Sequence, residues 1–426
     1  MLLEQLPRLS AYDPGADGEG GLDPLGLGAA SDRIANVLAP GVRARMIQPR
    51  FVTVSAVGAF AYQTLHELTA DDGKTTVDIA FEWLVVEAIV RYAEQDLVKA
   101  LPGSQKAARA KVNGVRLSRR TYLSGPRVFG FTGVYRPLSR DVGVLTPDDR
   151  PAANAERLVR AWENDFQLPG YVDGVSDGGK LRREITDACM QTLEKGECAA
   201  SDRLLRKLAA CLAPVKMNGN ARHVLRELIT VGEHEIRNEL TAILVASPPS
   251  VDTTQRELAL QLLARSSPQT QRALQAAIDY EEAATALDNT FRRFLAHTTQ
   301  QHGSVISRAN ALQTEGLAEL APRIGDLVQK AIDSTAHLGD VGLSNEVVDG
   351  FRLFANRLTA GEFFDALIAR HEQVQASKKK LSWLDQIDGN WTVRTPYRTQ
   401  DNDLKDETWA HPMRLVTLAR FLRETA

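Results

Sequence analysis

Apolar positions in this chain recur three or four residues apart far more often than they alternate, and that period predicts helices. The strongest run is 76–99. Val77, Ala80, Leu84, Ala88 and Tyr92 mark one face of it and Trp83, Val86 and Val90 another, so this helix is expected at the centre of a core. An earlier helix is expected over Asp32–Ala39, capped by Ser31 and stopped by Pro40-Gly41. Another is expected from Pro49 to about Glu67. Residues 154–166 read as an amphipathic helix with Asn154 as cap and Leu158, Val159, Trp162 and Phe166 inward. From Leu181 to about His371 helix follows helix, separated by turns such as Asn218-Gly219-Asn220 and Ser247-Pro248-Pro249-Ser250. The longest is expected at 268–297, where Ala273, Ala277, Tyr280, Ala284, Leu287, Phe291 and Phe294 form a continuous apolar row. No fixed-period repeat is present, which argues against a solenoid.

The expected fold class is therefore mainly α, in more than one domain. Residues 10–28, rich in Gly, Asp and Pro, read as an irregular arm. The run from Pro169-Gly170 to Gly178-Gly179 has no helical period and is the preferred boundary. This gives an N-terminal helical domain over 1–170, a helical domain over 171–376 and a tail over 377–426. The tail holds Lys378–Lys380, Trp383, Trp391 and Trp409, and closes with a helix from about Pro412 to Arg423.

Composition changes this picture little. A chain of 426 residues suits two or three domains, and 6% aromatics with abundant Leu and Ala favour helices over sheets. No apolar stretch reaches the roughly 20 residues a bilayer requires, and no signal peptide is visible, so no membrane partner is expected. Cys189, Cys198 and Cys211 form an odd set without a CxxC pair, which suits a reducing cytoplasm.

Charge changes it more. The net charge is −3, yet between Leu97 and Arg140 there is no Asp or Glu. That stretch holds Lys99, Lys106, Arg109, Lys111, Arg116, Arg119, Arg120, Arg127, Arg136 and Arg140, leaving −13 on the remainder. Such segregation suits a phosphate backbone, with Tyr122, Phe129, Phe131 and Tyr135 interleaved. The alternative is a basic face docked on the acidic remainder of this chain or on an acidic partner.

Leu138 to Val144 reads as the first helix and glycine turn of a helix-turn-helix. Thr146-Pro147-Asp148-Asp149 makes a helix start, so a second helix beginning there would carry Arg150 and Arg157 into a major groove. Pro137, Pro151 and the two aspartates oppose this. A winged-helix variant, with 146–152 as a loop and 154–166 as a closing helix, avoids part of the conflict.

Recognisable reaction chemistry is sparse. Gly73-Lys74-Thr75 has Leu68 where a phosphate loop needs its first glycine, so it reads as a turn and helix cap. Asp13, Asp17, Glu19 and Asp23 lack the spacing of a calcium loop. Glu233-His234-Glu235 is not a zinc motif, and no cofactor or metal is expected. Arg292 and His297 enclose four residues, a spacing that resembles the Arg/His signature of HEPN ribonucleases. That resemblance implies an Arg steadying phosphate and a His moving protons. Here Arg293 stands where that family usually has a polar residue.

Two stretches resemble an uncharacterised helical protein family of bacterial phage-defence gene clusters. One is Asp23-Pro24-Leu25-Gly26, continuing through Ser31-Asp32 and Leu38 to Arg43 into Pro49-Arg50-Phe51. The other is His371 to Gln375 with Lys379-Lys380 and Trp383, closed by His411-Pro412-Met413-Arg414-Leu415. The resemblance implies no reaction; it implies work beside other defence-system proteins. The function expected first is a non-catalytic component of such a system that binds nucleic acid, double-stranded DNA above all. Its contacts would be Lys106, Arg109, Lys111, Arg116, Arg119, Arg120, Arg127, Arg136, Arg140 and Arg150. The alternatives are a helical protein-protein adaptor and a HEPN-like ribonuclease using Arg292 and His297.

Overall fold

The computed structural model describes residues 23–99, 101–213, 219–399, 404 and 407–426. Asp13, Asp17, Glu19 and Asn218 lie outside the described residues. In chain order the first helices are α1 (Gly28–Leu38), α2 (Phe51–Ala61), α3 (Val77–Tyr92), α4 (Gln95–Lys99), α5 (Ser104–Val112), α6 (Pro126–Phe129) and α7 (Phe131–Asp141). Next come α8 (Ala153–Phe166), α9 (Ser176–Lys195), α10 (Asp202–Leu212), α11 (Gly219–Thr230), α12 (Glu235–Ala246) and α13 (Gln255–Leu263). The last are α14 (Pro268–Gln300), α15 (Arg308–Ala311), α16 (Leu317–Leu320), α17 (Ile324–Ala336), α18 (Val341–Phe351), α19 (Ala360–Ser377) and α20 (Leu415–Glu424). Three short strands, β1 (Val305–Ile306), β2 (Leu384–Ile387) and β3 (Asn390–Val393), form one antiparallel sheet in the order β1-β3-β2. The fold is mainly α. No helix among the described residues is long and apolar enough to cross a membrane.

The chain divides into two units, one of residues 39–251 with 414–426, the other of 1–38 with 252–413. In the first, α3 is central: it packs on α9 and α10 and is buried along almost its whole length, as its two apolar faces require. It ends at Tyr92, and α4 follows after a break at Ala93, so the expected continuous helix to Lys99 is two helices. Trp162 of α8 donates through its indole to the Cys211 carbonyl at 2.8 Å and meets Tyr171 edge-on.

The glycine run expected as a boundary lies inside this unit, at the turn into α9. A Cβ at Gly178 would fall 2.2 Å from the Leu168 carbonyl oxygen, and one at Gly179 would fall 2.2 Å from the Gly174 carbonyl carbon. These glycines permit close backbone approach, which a composition reading takes for linker.

The second helix of the expected helix-turn-helix is not formed. After α7 the chain turns at Gly143 (φ +66°), and residues 145–151 make a tight reversal closed by a Leu145–Pro151 bridge with Asp149 at φ +64°. Thr146 spends its hydroxyl inside that loop, donating to Asp148 and accepting from the Arg150 amide. It cannot then act as a helix cap. The loop and the 153–166 helix of the winged variant exist as elements, but α8 is buried against α2 and α11. Asn154 is not its cap; its amide holds the Val142 carbonyl at 2.8 Å.

Asp141, at the end of α7, anchors the α12 side of this unit. Arg237 is 1% exposed; its guanidinium pairs with Asp141 and donates to the Pro40 carbonyl at 3.1 Å. His234 reaches the other Asp141 oxygen at 2.6 Å. Replacing Arg237 by Leu strands a largely buried carboxylate with only His234, and is expected to cost about 2–3 kcal/mol. Urea unfolding at neutral pH checks this, and a loss under about 0.5 kcal/mol would show the pair to be dispensable.

In the second unit α14 is the spine, with α1, α13 and α17 packed along it. The apolar row expected at 268–297 is the buried face of this helix. The tail, expected only as a tryptophan-containing segment with a closing helix, holds a hairpin of β2 and β3. Asp388 and Gly389 both take positive φ (49° and 75°), the two-residue turn whose twist matches antiparallel strands.

Candidate functional site

The basic segment is held by carboxylates of its own unit. Asp78 and Glu82 stand one turn apart on α3, with Glu87 further along, and all three are buried. Asp78 takes Arg136 at 2.7 Å and Arg127 at 3.5 Å. Glu87 takes Arg91 at 2.7 Å and Arg116 at 3.0 Å. Between them Glu82, 0% exposed, accepts from the Tyr122 hydroxyl and the Thr132 amide, each at 2.9 Å. A Cβ at Gly130 would fall 1.8 Å from a Glu82 oxygen, so that position must be glycine for the segment to close over the carboxylate. The stretch without acids wraps a helix whose acids are aimed at it.

The remaining expected contact residues divide. Arg140 pairs with Asp149 at 2.8 Å, and Arg136 also reaches Asp149 at 3.2 Å. Arg150 bridges Asp148 and Glu67, Arg157 pairs with Glu227, and Arg119 stands 3.9 Å from Asp72. Lys111 donates its ammonium to the Val90 carbonyl at 2.8 Å, closing the C-terminus of α3. Lys106, Arg109 and Arg120 are exposed and have no side-chain partner among the described residues. Lys106 and Arg109 share α5, whose Ala107 and Ala110 turn inward. Val112, 84% exposed, and Val115, 41% exposed, stand at its end.

Gly73-Lys74-Thr75 is a turn: the Asp72 carboxylate accepts from the Lys74 and Thr75 amides at 2.8 and 2.7 Å, and α3 begins just after it. The three cysteines are free and buried, and burial raises all three thiols, keeping them protonated at neutral pH. Among the described residues no group of three His, Cys, Asp or Glu side chains is placed to hold a metal ion.

In the 1–38/252–413 unit, Arg292 and His297 are not brought together. Five residues on an α-helix place them about 140° apart. Arg292 donates through Nε to Asp288 at 2.5 Å, while the His297 ring meets the Thr314 hydroxyl at 3.3 Å. Arg292 instead lines a cavity of about 200 Å3 with Leu295, Trp383, Tyr397 and Arg398.

The same unit joins parts of the two terminal stretches. The carbonyls of Asp23, Pro24 and Leu25 accept from Lys378 (2.9 Å), His371 Nδ1 (3.0 Å) and Arg370 (2.8 Å). His371 Nε2 accepts from the Trp383 amide at 2.9 Å, so the ring is neutral with its proton on Nδ1, and burial pushes its pKa down to about 4. Asp23 receives the Leu27 and Gly28 amides and starts α1. Ser31, expected as the cap, lies inside α1 and donates to Glu281 at 3.0 Å. Glu281, 0% exposed, also accepts from the His411 backbone amide and pairs with its ring, each at 3.0 Å.

The sequence reading missed this cluster and the α3 carboxylates alike. The available signal was the placing of Asp78, Glu82, Glu87 and Glu281 on otherwise apolar helices. No family model, curated protein or solved structure matches this chain.

Proposed function

We propose that this chain is a helical docking protein whose α5 takes up an acidic, partly apolar segment of another protein. The observation that carries this reading is the outer face of α5, where unpaired Lys106 and Arg109 adjoin the exposed Val112 and Val115. Cations beside apolar surface suit a partner that alternates carboxylates with apolar side chains. A surface that tracks phosphates needs many unneutralised cations, and the arginines between 116 and 140 that would supply them are largely spent on Asp78, Glu87 and Asp149. Docking of this kind is the work of a component in a multiprotein system, the context that the terminal resemblance implies.

The nucleic-acid reading keeps Lys106, Arg109 and Arg120 as its contacts. With three phosphates neutralised, log K would fall with log salt at a slope no steeper than about −3.

The test is fluorescence anisotropy of the full chain against a labelled peptide of alternating Glu and Leu and against labelled duplex DNA, at several salt concentrations. The expected result is saturable peptide binding, weakened about tenfold by Lys106→Glu with Arg109→Glu and also by Val112→Asp. Tighter binding of the duplex, with a slope well beyond −3, would replace this reading with DNA binding by the wider basic segment.

A further inference from the structure

Tyr122 is 2% exposed, and its hydroxyl lies between two acceptors. Glu82 Oε1 stands at 2.9 Å and the Pro102 carbonyl oxygen at 3.3 Å. Pro102 precedes Gly103, the residue that opens α5, so one acceptor belongs to the core and the other to the start of α5. The approach is close. A Cβ at Gly103, which sits at φ +78°, would fall 2.4 Å from the Tyr122 hydroxyl oxygen and 2.7 Å from its ring. At its other end α5 is moored by Lys111, whose ammonium holds the Val90 carbonyl at 2.8 Å. Lys106 and Arg109 lie between the two moorings.

A phenol has one proton to donate, so it serves one of the two acceptors at a time. Glu82 decides which. Its Oε2 accepts from the Thr132 amide at 2.9 Å, and an amide N–H can only donate. The proton of the neutral acid therefore sits on Oε1 and points at the Tyr122 oxygen, which frees the phenol's own proton for the Pro102 carbonyl. When Oε1 loses its proton it becomes a charged acceptor, and the phenol turns to it because a charge-assisted bond is the stronger. The Pro102 carbonyl then gives up its donor.

We propose that Tyr122 is a proton-controlled latch on α5, tying the N-terminal end of that helix to α3 while Glu82 is protonated and releasing it when Glu82 ionises. Its role as a regulator rests on α5 being the docking face. Burial lifts the Glu82 carboxyl to about 7, so the latch changes over near neutrality. Of the other groups on and around α3, Asp78 is paired with Arg127 and Arg136, and Glu87 with Arg91 and Arg116. Arg206 of α10 lies over the Tyr92 ring, and burial raises the Cys189 thiol of α9 and the Tyr62 phenol beyond α2 further from neutrality.

The experiment is hydrogen exchange of the full chain from pH 6 to 8, corrected for the intrinsic rate, read at amides 107–112 and separately at 117–132. In the parent, protection of 107–112 is expected to fall about three- to tenfold across that range, the worth of one hydrogen bond. Glu82→Gln presents its carboxamide N–H to Tyr122 as the neutral acid presents its O–H, and holds 107–112 at the pH 6 level throughout. Tyr122→Phe keeps the ring against Gly103 but removes the latch, so 107–112 is flat at the pH 8 level while 117–132 still responds to pH. Protection of 107–112 that is flat in the parent, or that falls in Tyr122→Phe as it does in the parent, overturns the proposal; a packing role for Tyr122 predicts the second of these.

Anisotropy with the Glu–Leu peptide is followed at pH 6 and pH 8 alongside. Tighter binding at pH 6 by a similar factor, with equal binding at the two pH values in Glu82→Gln, supports the latch as a regulator of docking. Equal binding in the parent overturns that role. A peptide that binds at neither pH overturns the docking reading, and the exchange profile still decides the latch by itself.

Discussion

Glu281→Ala is expected to destabilise the 1–38/252–413 unit by about 3–5 kcal/mol, one of the two largest single-residue effects in this chain. The carboxylate is completely buried on α14, the spine of that unit. It holds Ser31 of α1 and both the backbone and the ring of His411, all at 3.0 Å. Alanine leaves a buried hydroxyl, a buried amide and an imidazole without their acceptor, and removes the anion that compensates protonated His411. Burial alone lowers the His411 pKa, but the charge and hydrogen bond of Glu281 outweigh it and raise it above the usual 6.5. A raised histidine stabilises fully below pH 6.5 and loses that contribution as pH rises through its folded pKa. Glu281→Gln, which keeps one acceptor but no charge, is therefore expected to lose less stability than alanine and to flatten the alkaline decline. Native-state hydrogen exchange of amides in 23–38 and 407–413, followed from pH 6 to 8.5, reads both effects. Protection within about 1 kcal/mol of the parent in Glu281→Ala would show that other contacts hold the two segments.

How much of this was legible follows from what each signal spans. The helices with a clean apolar stripe, α8 and α14, were legible nearly to their ends, because a period of 3.6 is a local property. The charge segregation between 97 and 140 was equally visible, but its cause was not. Its answer is Asp78, Glu82 and Glu87, 29 to 58 residues from the groups they bind. Pairing at that distance is a property of the fold, and a run of arginines without acids reads the same whether a phosphate or a buried helix waits for it.

Thr146-Pro147-Asp148 carried a true local signal, but the hydroxyl and carboxylate that cap helices also close tight loops, and the Leu145–Pro151 bridge decides for the loop. The Asp388-Gly389 hairpin has its signal in two residues, a pair that favours the positive φ of a two-residue turn. The spacing of Arg292 to His297 is a local pattern that the fold does not use. The actual neighbours of Arg292, Trp383 and Arg398, lie about a hundred residues away, brought in by that hairpin.

The second large effect concerns Glu82 and has a definite pH sign. Burial is the main reason its pKa rises from about 4.5 to about 7; hydrogen bonds from Thr132 and Tyr122 pull it part of the way back. The folded state therefore binds a proton that the unfolded chain has released between those values. Stability conferred by this group is fully present below about pH 4.5 and is lost as pH rises through 7, a change on the order of 3 kcal/mol. Glu82→Gln removes the titration, so the difference in urea midpoint between it and the parent should move steadily in favour of the glutamine protein from pH 5 to pH 8. Subtracting the two curves cancels the other titrating groups, and parallel curves would mean that Glu82 keeps an ordinary carboxylate pKa in the fold. Glu82→Ala follows the same pH trend from a lower start. It removes the nearer acceptor of the Tyr122 hydroxyl, which keeps the Pro102 carbonyl at 3.3 Å, and the acceptor of the Thr132 amide. It is expected to cost about 3–4 kcal/mol at pH 5, a deficit that shrinks as Glu82 of the parent ionises. Ionisation of Glu82 has a consequence for the basic segment. Tyr122 and Thr132 hold 116–136 on Glu82 without an arginine, and charging the buried Glu82 favours local opening that hydrates it, while Asp78 and Glu87 keep the clasps on either side. Hydrogen exchange within 117–132 should accordingly speed up between pH 6 and 8 beyond its intrinsic rise in the parent protein, and not in Glu82→Gln.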